Sequence, residues 1–335
     1  MPYKMIDLFA GCGGLEDGFL QSGRYEDVAA VEWLQPLVKT LIHRLKNKWN
    51  ITDAEDRVMC FDIQKENELF NGWEDDSVSP SRELLPNGKE SRYKTGPYGK
   101  GLGLDHFVKK AGGIDIIIGG PPCQAYSVAG RVRDENGMRD DYRNYLFEHY
   151  LNVVNRYKPL VFIFENVPGM LSAMPDGTPI TDLIEKGFES IGYEIINDLK
   201  KYAKIDASEY GVPQNRERLI IMGIRKDAYS NPQALLKDFY VNILPSYKVE
   251  RKMTVEEAIG DLPALYPIIN ENSSPRRIGY TKAGCDVSWH RARHHSLRDV
   301  EIYGMLAEDI ASGRNEYIDS KSLSNLYEER VGAKS

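Results

Sequence analysis

Apolar positions along this chain gather into short unbroken runs rather than alternating with polar ones. Ile114-Asp115-Ile116-Ile117-Ile118 is the clearest, and residues 5–9, 27–31, 58–61, 160–164 and 219–224 are of the same kind. Such a run, stopped by glycine, proline or charge, predicts a strand buried on both faces. Strands like these belong to an α/β fold: a Rossmann-like sheet, mostly parallel, with helices on both faces. Ligands of such folds lie at the carboxyl ends of the strands, so the residues following each run carry the chemistry.

After 114–118 comes Gly119-Gly120-Pro121-Pro122-Cys123-Gln124. Each proline fixes its φ and removes a backbone donor, so Cys123 is presented on a stiff turn at the sheet edge. An arbitrary cysteine is usually an inert buried hydrophobe. The rigid turn and the polar Gln124-Ala125-Tyr126-Ser127 after it make Cys123 a candidate nucleophile instead.

The run 5–9 leads into Ala10-Gly11-Cys12-Gly13-Gly14-Leu15-Glu16-Asp17-Gly18-Phe19, a glycine loop entering a helix. Glycines let a ligand approach the backbone, and the helix start offers amide donors. A dinucleotide fingerprint needs a third glycine where Glu16 stands, and Glu16 and Asp17 would repel a phosphate. A phosphate-free nucleoside with a cationic centre, such as S-adenosylmethionine, fits better. The run 27–31 ends in Glu32-Trp33, where a carboxylate can accept both ribose hydroxyls and an indole can lie on a purine. The run 58–61 ends in Asp62-Ile63, placed to bracket the adenine edge. Taken singly, each has an ordinary reading as a strand end, a core residue or a helix cap; together they mark one site.

These motifs resemble those of the DNA (cytosine-5)-methyltransferases of bacterial restriction–modification systems. The matching elements run in order: Asp7-Leu8-Phe9-Ala10-Gly11-Cys12-Gly13-Gly14, Glu32-Trp33, Asp62-Ile63, Gly119-Gly120-Pro121-Pro122-Cys123-Gln124, Arg143-Asn144-Tyr145-Leu146-Phe147, Phe164-Glu165-Asn166-Val167 and Gln214-Asn215-Arg216-Glu217-Arg218. The resemblance implies methyl transfer from S-adenosylmethionine to carbon 5 of a cytosine flipped out of duplex DNA. It makes Cys123 the nucleophile toward ring carbon 6 and Glu165 the acid at ring nitrogen 3. Asn166 would fix the local backbone, and Arg216 and Arg218 would reach the flipped base or its phosphate. Cofactor contacts are implied for Asp7, Phe9, Ala10, Gly11, Gly13, Gly14, Leu15, Glu32, Trp33, Asp62, Ile63, Pro121 and Leu146. DNA contacts are implied for Gln124, Ser127, Arg131 and Arg133, on a glycine- and charge-rich segment suited to close over the site.

The chain has 335 residues, 41% of them hydrophobic, and no run long enough to span a membrane. Cys12, Cys60, Cys123 and Cys285 show no paired spacing, which predicts reduced thiols, no metal site and a bacterial cytoplasmic location. The net charge of −7 requires that any DNA-facing charge be segregated. Arg276-Arg277 with Lys282, and His290-Arg291-Ala292-Arg293-His294-His295 with Arg298, are the densest basic stretches. Residues 1–225 read as the catalytic and cofactor-binding domain, with an exposed loop insertion at about 71–103, and 226–335 as the start of a smaller target-recognition domain. Two closing motifs expected of the resemblance are not found before Ser335, so the expectation is a missing C-terminal piece, supplied by a further fragment or a second subunit. Two alternatives stay open. One is a tRNA-directed enzyme, against which Cys285-Asp286-Val287 stands where a Cys-Phe-Thr element would be expected. The other is a non-catalytic DNA-binding relative.

Overall fold

In a computed structural model the described residues are 1–74, 82–84, 90–94, 96, 100–122, 146–174, 177–270, 274–281, 290–317 and 320–332. They divide into two compact units, Met1–Lys252 and Met253–Ser335.

The first unit is built on an eight-stranded sheet. Its strands are β1 (Tyr3–Leu8), β2 (Tyr25–Glu32), β3 (Val58–Cys60), β6 (Ile116–Gly119), β7 (Val161–Asn166), β8 (Tyr193–Ile195), β9 (Lys204–Asp206) and β10 (Glu217–Arg225). A separate hairpin joins β4 (Arg82–Leu84) to β5 (Glu90–Lys94). The order across the sheet is β3-β2-β1-β6-β7-β10-β8, with β9 also paired to β10. All six apolar runs form strands, and the pairings among β1, β2, β3, β6 and β7 are parallel.

The expected sheet differs at its other edge. β10 runs antiparallel to β7 and carries β8 and β9 on its outer side. Those two short strands cover only the two ends of β10. Between them the Tyr240 hydroxyl donates to Ile220 O and accepts from Met222 N, both at 2.8 Å. This contact and Gln233 Nε2, which donates to Ile195 O at 2.7 Å, tie residues 226–252 to the sheet. The boundary between the compact units accordingly lies after Lys252 rather than after residue 225.

Both faces of the sheet are buried, as unbroken apolar strands require. On one face α1 (Gly14–Gln21) and α2 (Gln35–Trp49) pack Leu20, Leu41 and Leu45 against Met5, Ala30 and Ile118. α3 (Glu66–Asn71), α4 (Leu104–Ala111), α5 (Leu146–Tyr157) and α6 (Ile180–Ser190) supply side chains to the core that includes Ile6, Leu8, Phe162 and Phe164. Phe162 and Phe188 stack with ring centroids 3.9 Å apart. The Tyr150 hydroxyl, on α5, donates to Ile117 O and Ile163 O at 3.0 Å and so ties the helix to β6 and β7.

The second unit holds α8 (Val255–Ile259), the strand pair β11 (Pro267–Ile268) and β12 (Gly279–Tyr280), α9 (Leu297–Ser312) and α10 (Ser320–Val331); α7 is Pro232–Asp238 of the first unit. α8 opens with a capping box, Thr254 and Glu257 satisfying each other's backbone N–H. Within this unit His290 and His294 hydrogen-bond to the carbonyls of Pro263 and Ile278, and His295 to the Tyr280 hydroxyl. Arg276, Arg277, Arg291, Arg293 and Arg298 are exposed. The histidines of the basic stretch thus serve the local fold, and its arginines face solvent.

Candidate active site

Register decides which residues meet. Leu8 pairs with Val31 and Gly119, Glu32 with Cys60, and Gly119 with Phe164. The carboxyl ends of five parallel strands therefore stop at one edge, and the order reverses at β1, where β2 lies on one side and β6 on the other. β10 enters this edge from the opposite direction, with Ile220 opposite Glu165.

A cleft opens there, lined by Phe9, Val31, Glu32, Trp33, Leu34, Leu37, Phe61, Asp62, Ile63, Gln64, Gly120, Pro122 and Leu146. Glu32 sits at its floor. Glu32 Oε2 accepts from Gly11 N at 2.9 Å and Oε1 from Leu34 N at 2.7 Å. Burial pushes its carboxyl up, opposed by these backbone donors. Two amides fix the orientation while lone pairs remain for further donors. Phe9 takes the left-handed conformation (φ 57°), rare for a side chain of this size, at the point where the chain leaves β1 for the cleft. Asp62 Oδ1 accepts from Gln64 N at 3.1 Å.

The lining tests whether a nucleoside-bearing cofactor fits. Among the described lining residues none is cationic, two are carboxylates, and the walls include Phe9, Trp33 and Phe61. A phosphate would find no partner there; a flat base, a ribose diol and a positive centre would. The residues present fit S-adenosylmethionine. Of the expected cofactor residues, Phe9, Glu32, Trp33, Asp62, Ile63 and Leu146 line the cleft. Ala10, Gly11, Gly13, Gly14 and Leu15 form the loop and helix start beside it, and Pro121 is buried behind Pro122. Asp7 is buried beneath it, at 1% exposure.

Beside the cleft lies a second group. Glu165 is the penultimate residue of β7, and Arg218 Nε pairs with its Oε1 at 2.7 Å. A side chain on Gly120 would come within 2.7 Å of Glu165 Oε2, so the bare glycine lets the carboxyl lie against the Pro-Pro turn. Burial raises the Glu165 carboxyl above its ordinary range, with Arg218 and Arg216 pulling the other way. Asn166, 2% exposed, donates from Nδ2 to Pro121 O at 3.3 Å and accepts from Val167 N at 2.9 Å, bridging β7 to the same turn. Arg216 is exposed. Cys123, Gln124, Ser127, Arg131 and Arg133 lie outside the described residues, which resume at Leu146.

One feature of the loop was invisible in the pattern. Glu16 does not face an incoming ligand; it turns inward, 0% exposed, toward Asp27 of β2 and Asp7 of β1. Asp17 turns toward α2, where Lys48 Nζ and Trp49 Nε1 reach it at 2.8 and 2.9 Å. The available signal was Leu20, four residues on and buried on the same face as Glu16. No cation comes closer to the buried trio than Arg57, 3.9 Å from Asp27, among the described ion pairs. Burial and mutual repulsion raise Glu16 and Asp7 well above the ordinary carboxyl range, and burial lifts Asp27 to about 6. With both carboxyls raised and side by side, a proton held between Glu16 and Asp27 would satisfy oxygens that otherwise lack a donor. Among the described residues no such group has the geometry to hold a metal ion.

A raised folded-state carboxyl stabilises below its unfolded value and loses that contribution as pH rises through its folded value. Stability should therefore fall from pH 5 to pH 8 on account of this trio. Glu16→Gln, which keeps a donor without a titrating proton, should unfold on the order of 3 °C above wild type at pH 8, and the gain should shrink at pH 5. Thermal scans at the two values check this; equal offsets at both would dismiss a shared proton.

The model for the family C-5 cytosine-specific DNA methylase matches residues 3–72 and 103–329. The chain is 29% identical over 344 residues to the type II methyltransferase M.Bpa9945I of Bacillus paralicheniformis, covering 92% of this chain and 75% of that protein. It is 34% identical over 259 residues to the type II methyltransferase M.XorII of Xanthomonas oryzae pv. oryzae, covering 77% of this chain and 46% of that one. A solved structure assigned as a prophage-encoded DNA modification methyltransferase of E. coli aligns with a TM-score of 0.49 at 24% identity, over 82% of this chain and 62% of that one. The chain thus spans three quarters of one curated relative and about half of another. With the glycine-loop, acidic strand-end, Pro-Pro turn and Glu-Asn elements at one sheet edge, and a family match covering most of its length, this chain belongs to the C-5 cytosine-specific DNA methylases.

Proposed function

We propose that this chain carries the catalytic and cofactor-binding machinery of a DNA (cytosine-5)-methyltransferase of the restriction–modification type. The observation that carries the reading is the Glu165 carboxyl, raised by burial, held between Arg218 and the Gly120-Pro121-Pro122 turn beside a nucleoside-shaped cleft.

Carbon 5 of cytosine is a weak nucleophile. Addition of the Cys123 thiolate to carbon 6 forms an S–C bond and moves an electron pair toward carbon 5. Glu165, protonated above its ordinary range, holds that proton at ring nitrogen 3 and draws charge from the ring as the thiolate adds. Arg218 fixes Glu165 and stands where the ring's polar edge would lie. S-Adenosylmethionine, when bound, supplies an electrophilic methyl group. Phe9, Trp33 and Phe61 would sandwich its base and Glu32 its ribose hydroxyls. Loss of the carbon 5 proton to a solvent water and expulsion of Cys123 Sγ as thiolate then restore the aromatic ring. A cytosine in a duplex cannot reach this edge while stacked, so the reading requires base flipping, for which Gln124, Ser127, Arg131 and Arg133 would supply contacts. The exposed arginines of the second unit would contribute positive charge toward the phosphates.

Trapping tests the proposal. Fluorine at carbon 5 blocks the final elimination, so a 5-fluorocytosine duplex with S-adenosylmethionine should give a denaturant-stable adduct. Transfer to a tRNA and not to a duplex would overturn the DNA reading. An adduct formed only after adding a C-terminal fragment of a longer relative would assign part of the machinery to chain outside this one.

A further inference from the structure

The family model leaves residues 73–102 unmatched, and the sequence reads them as an exposed excursion. Two of its described residues, Trp73 and Gly96, are buried, while Glu74, Lys100 and Leu102 are exposed. At the neck, Trp73 N donates to Gly101 O at 2.9 Å and Gly101 N to Trp73 O at 3.0 Å. The Trp73 side chain is buried, its ring centroid 4.2 Å from that of Phe61. Deeper in the segment Gly96 is buried, and its N–H donates to Trp33 O at 2.8 Å. A Cβ on Gly96 would fall 1.9 Å from Cys60 O, 2.3 Å from Cys60 C and 2.7 Å from Phe61 N. All three are backbone atoms at the end of β3, so no side-chain rotation relieves the clash. Cys60 Sγ also reaches Trp33 O, at 3.6 Å. The excursion thus grips the two strand ends that present Trp33 and Phe61 to the cleft.

We propose that Gly96 and Trp73 are working parts of the cofactor site, positioning residues that set Trp33 and Phe61 against the adenine ring. This rests on the cofactor reading above. A passive loop would need neither a glycine pressed onto β3 nor a buried tryptophan behind a cleft wall. Interior contacts of this density transmit small displacements rather than absorb them, so a methyl group at position 96 moves the base of the cleft. Trp33 and Phe61 line the cleft, so the effect falls on cofactor affinity.

Calorimetry with S-adenosylhomocysteine and exchange of the backbone amides test it together. Wild type should bind; no binding would end the cofactor reading itself. Gly96→Ala should weaken binding about tenfold, as overpacking of a tight contact predicts, and raise the KM for S-adenosylmethionine while kcat at saturation stays near wild type. Gly18→Ala, at an exposed helical position with open space around it, should leave affinity unchanged. Should Gly96→Ala fail to fold, wild type decides: S-adenosylhomocysteine should slow amide exchange in the peptide holding Gly96. Unaltered affinity in a folded Gly96→Ala, or unaltered exchange at Gly96 in wild type that binds, overturns the proposal and leaves the cofactor reading intact.

Discussion

Cys123→Ser should lower turnover by on the order of 10^4-fold and remove the denaturant-stable adduct on 5-fluorocytosine duplex. A thiol leaves a few per cent thiolate at neutral pH, whereas a serine hydroxyl leaves essentially none, so the first bond to carbon 6 fails to form. Binding should survive, because the cleft that would hold the cofactor is built from β1, β2, β3 and α5. Duplex affinity and S-adenosylhomocysteine affinity near wild type, with turnover lost, would separate the nucleophile from the scaffold. Cys60, at the end of β3, is a competing thiol, and it is poorly suited. Burial first, and then the charge of Glu32, pushes its thiol up to about 12, leaving almost no thiolate at neutral pH. An adduct that persists in Cys123→Ser would move the role away from position 123.

Much of this site could be read before any coordinates. Parallel strands covered on both faces must be apolar throughout, so 5–9, 27–31 and 114–118 stand out as runs, and each run names the residue at its end. That is how Glu32, Trp33, Asp62 and Glu165 come to be recognised, and the register explains why they share an edge. What the chain hides is set by tertiary contact. β8 and β9 are three residues each and exist because β10 has an unfilled outer side. Glu16 reads as a surface acid at a helix start; only its neighbours reveal a buried carboxyl beside Asp27. The 73–102 segment is polar and glycine-rich, so its pattern predicts exposure. Gly96 is there for a backbone-to-backbone approach, which leaves no trace in hydrophobicity. Trp73 was the one legible sign that part of the segment is inside.

Glu165→Gln should reduce kcat by roughly 10^2 to 10^3, the range expected when a positioned acid is replaced by a group that can donate a hydrogen bond but cannot transfer its proton. The fold should tolerate it, since glutamine keeps the shape and can still accept from Arg218. The pH profile then distinguishes an acid from a mere hydrogen-bonding group. Burial raises Glu165 while Arg218 and Arg216 pull the other way, so its titration is set by opposed influences. In wild type, activity should fall on the alkaline side as Glu165 loses its proton. Arg218→Ala removes the larger of the two lowering charges. The Glu165 carboxyl then rises further, and the alkaline limb of kcat/KM should move to higher pH even as the rate at the optimum drops. A structural ion pair predicts the opposite pairing of results: lower stability, a lower rate and an unmoved limb. An unchanged rate in Glu165→Gln, or a limb that stays in place in Arg218→Ala, would remove Glu165 from the acid's role and leave it as a brace for the Pro-Pro turn.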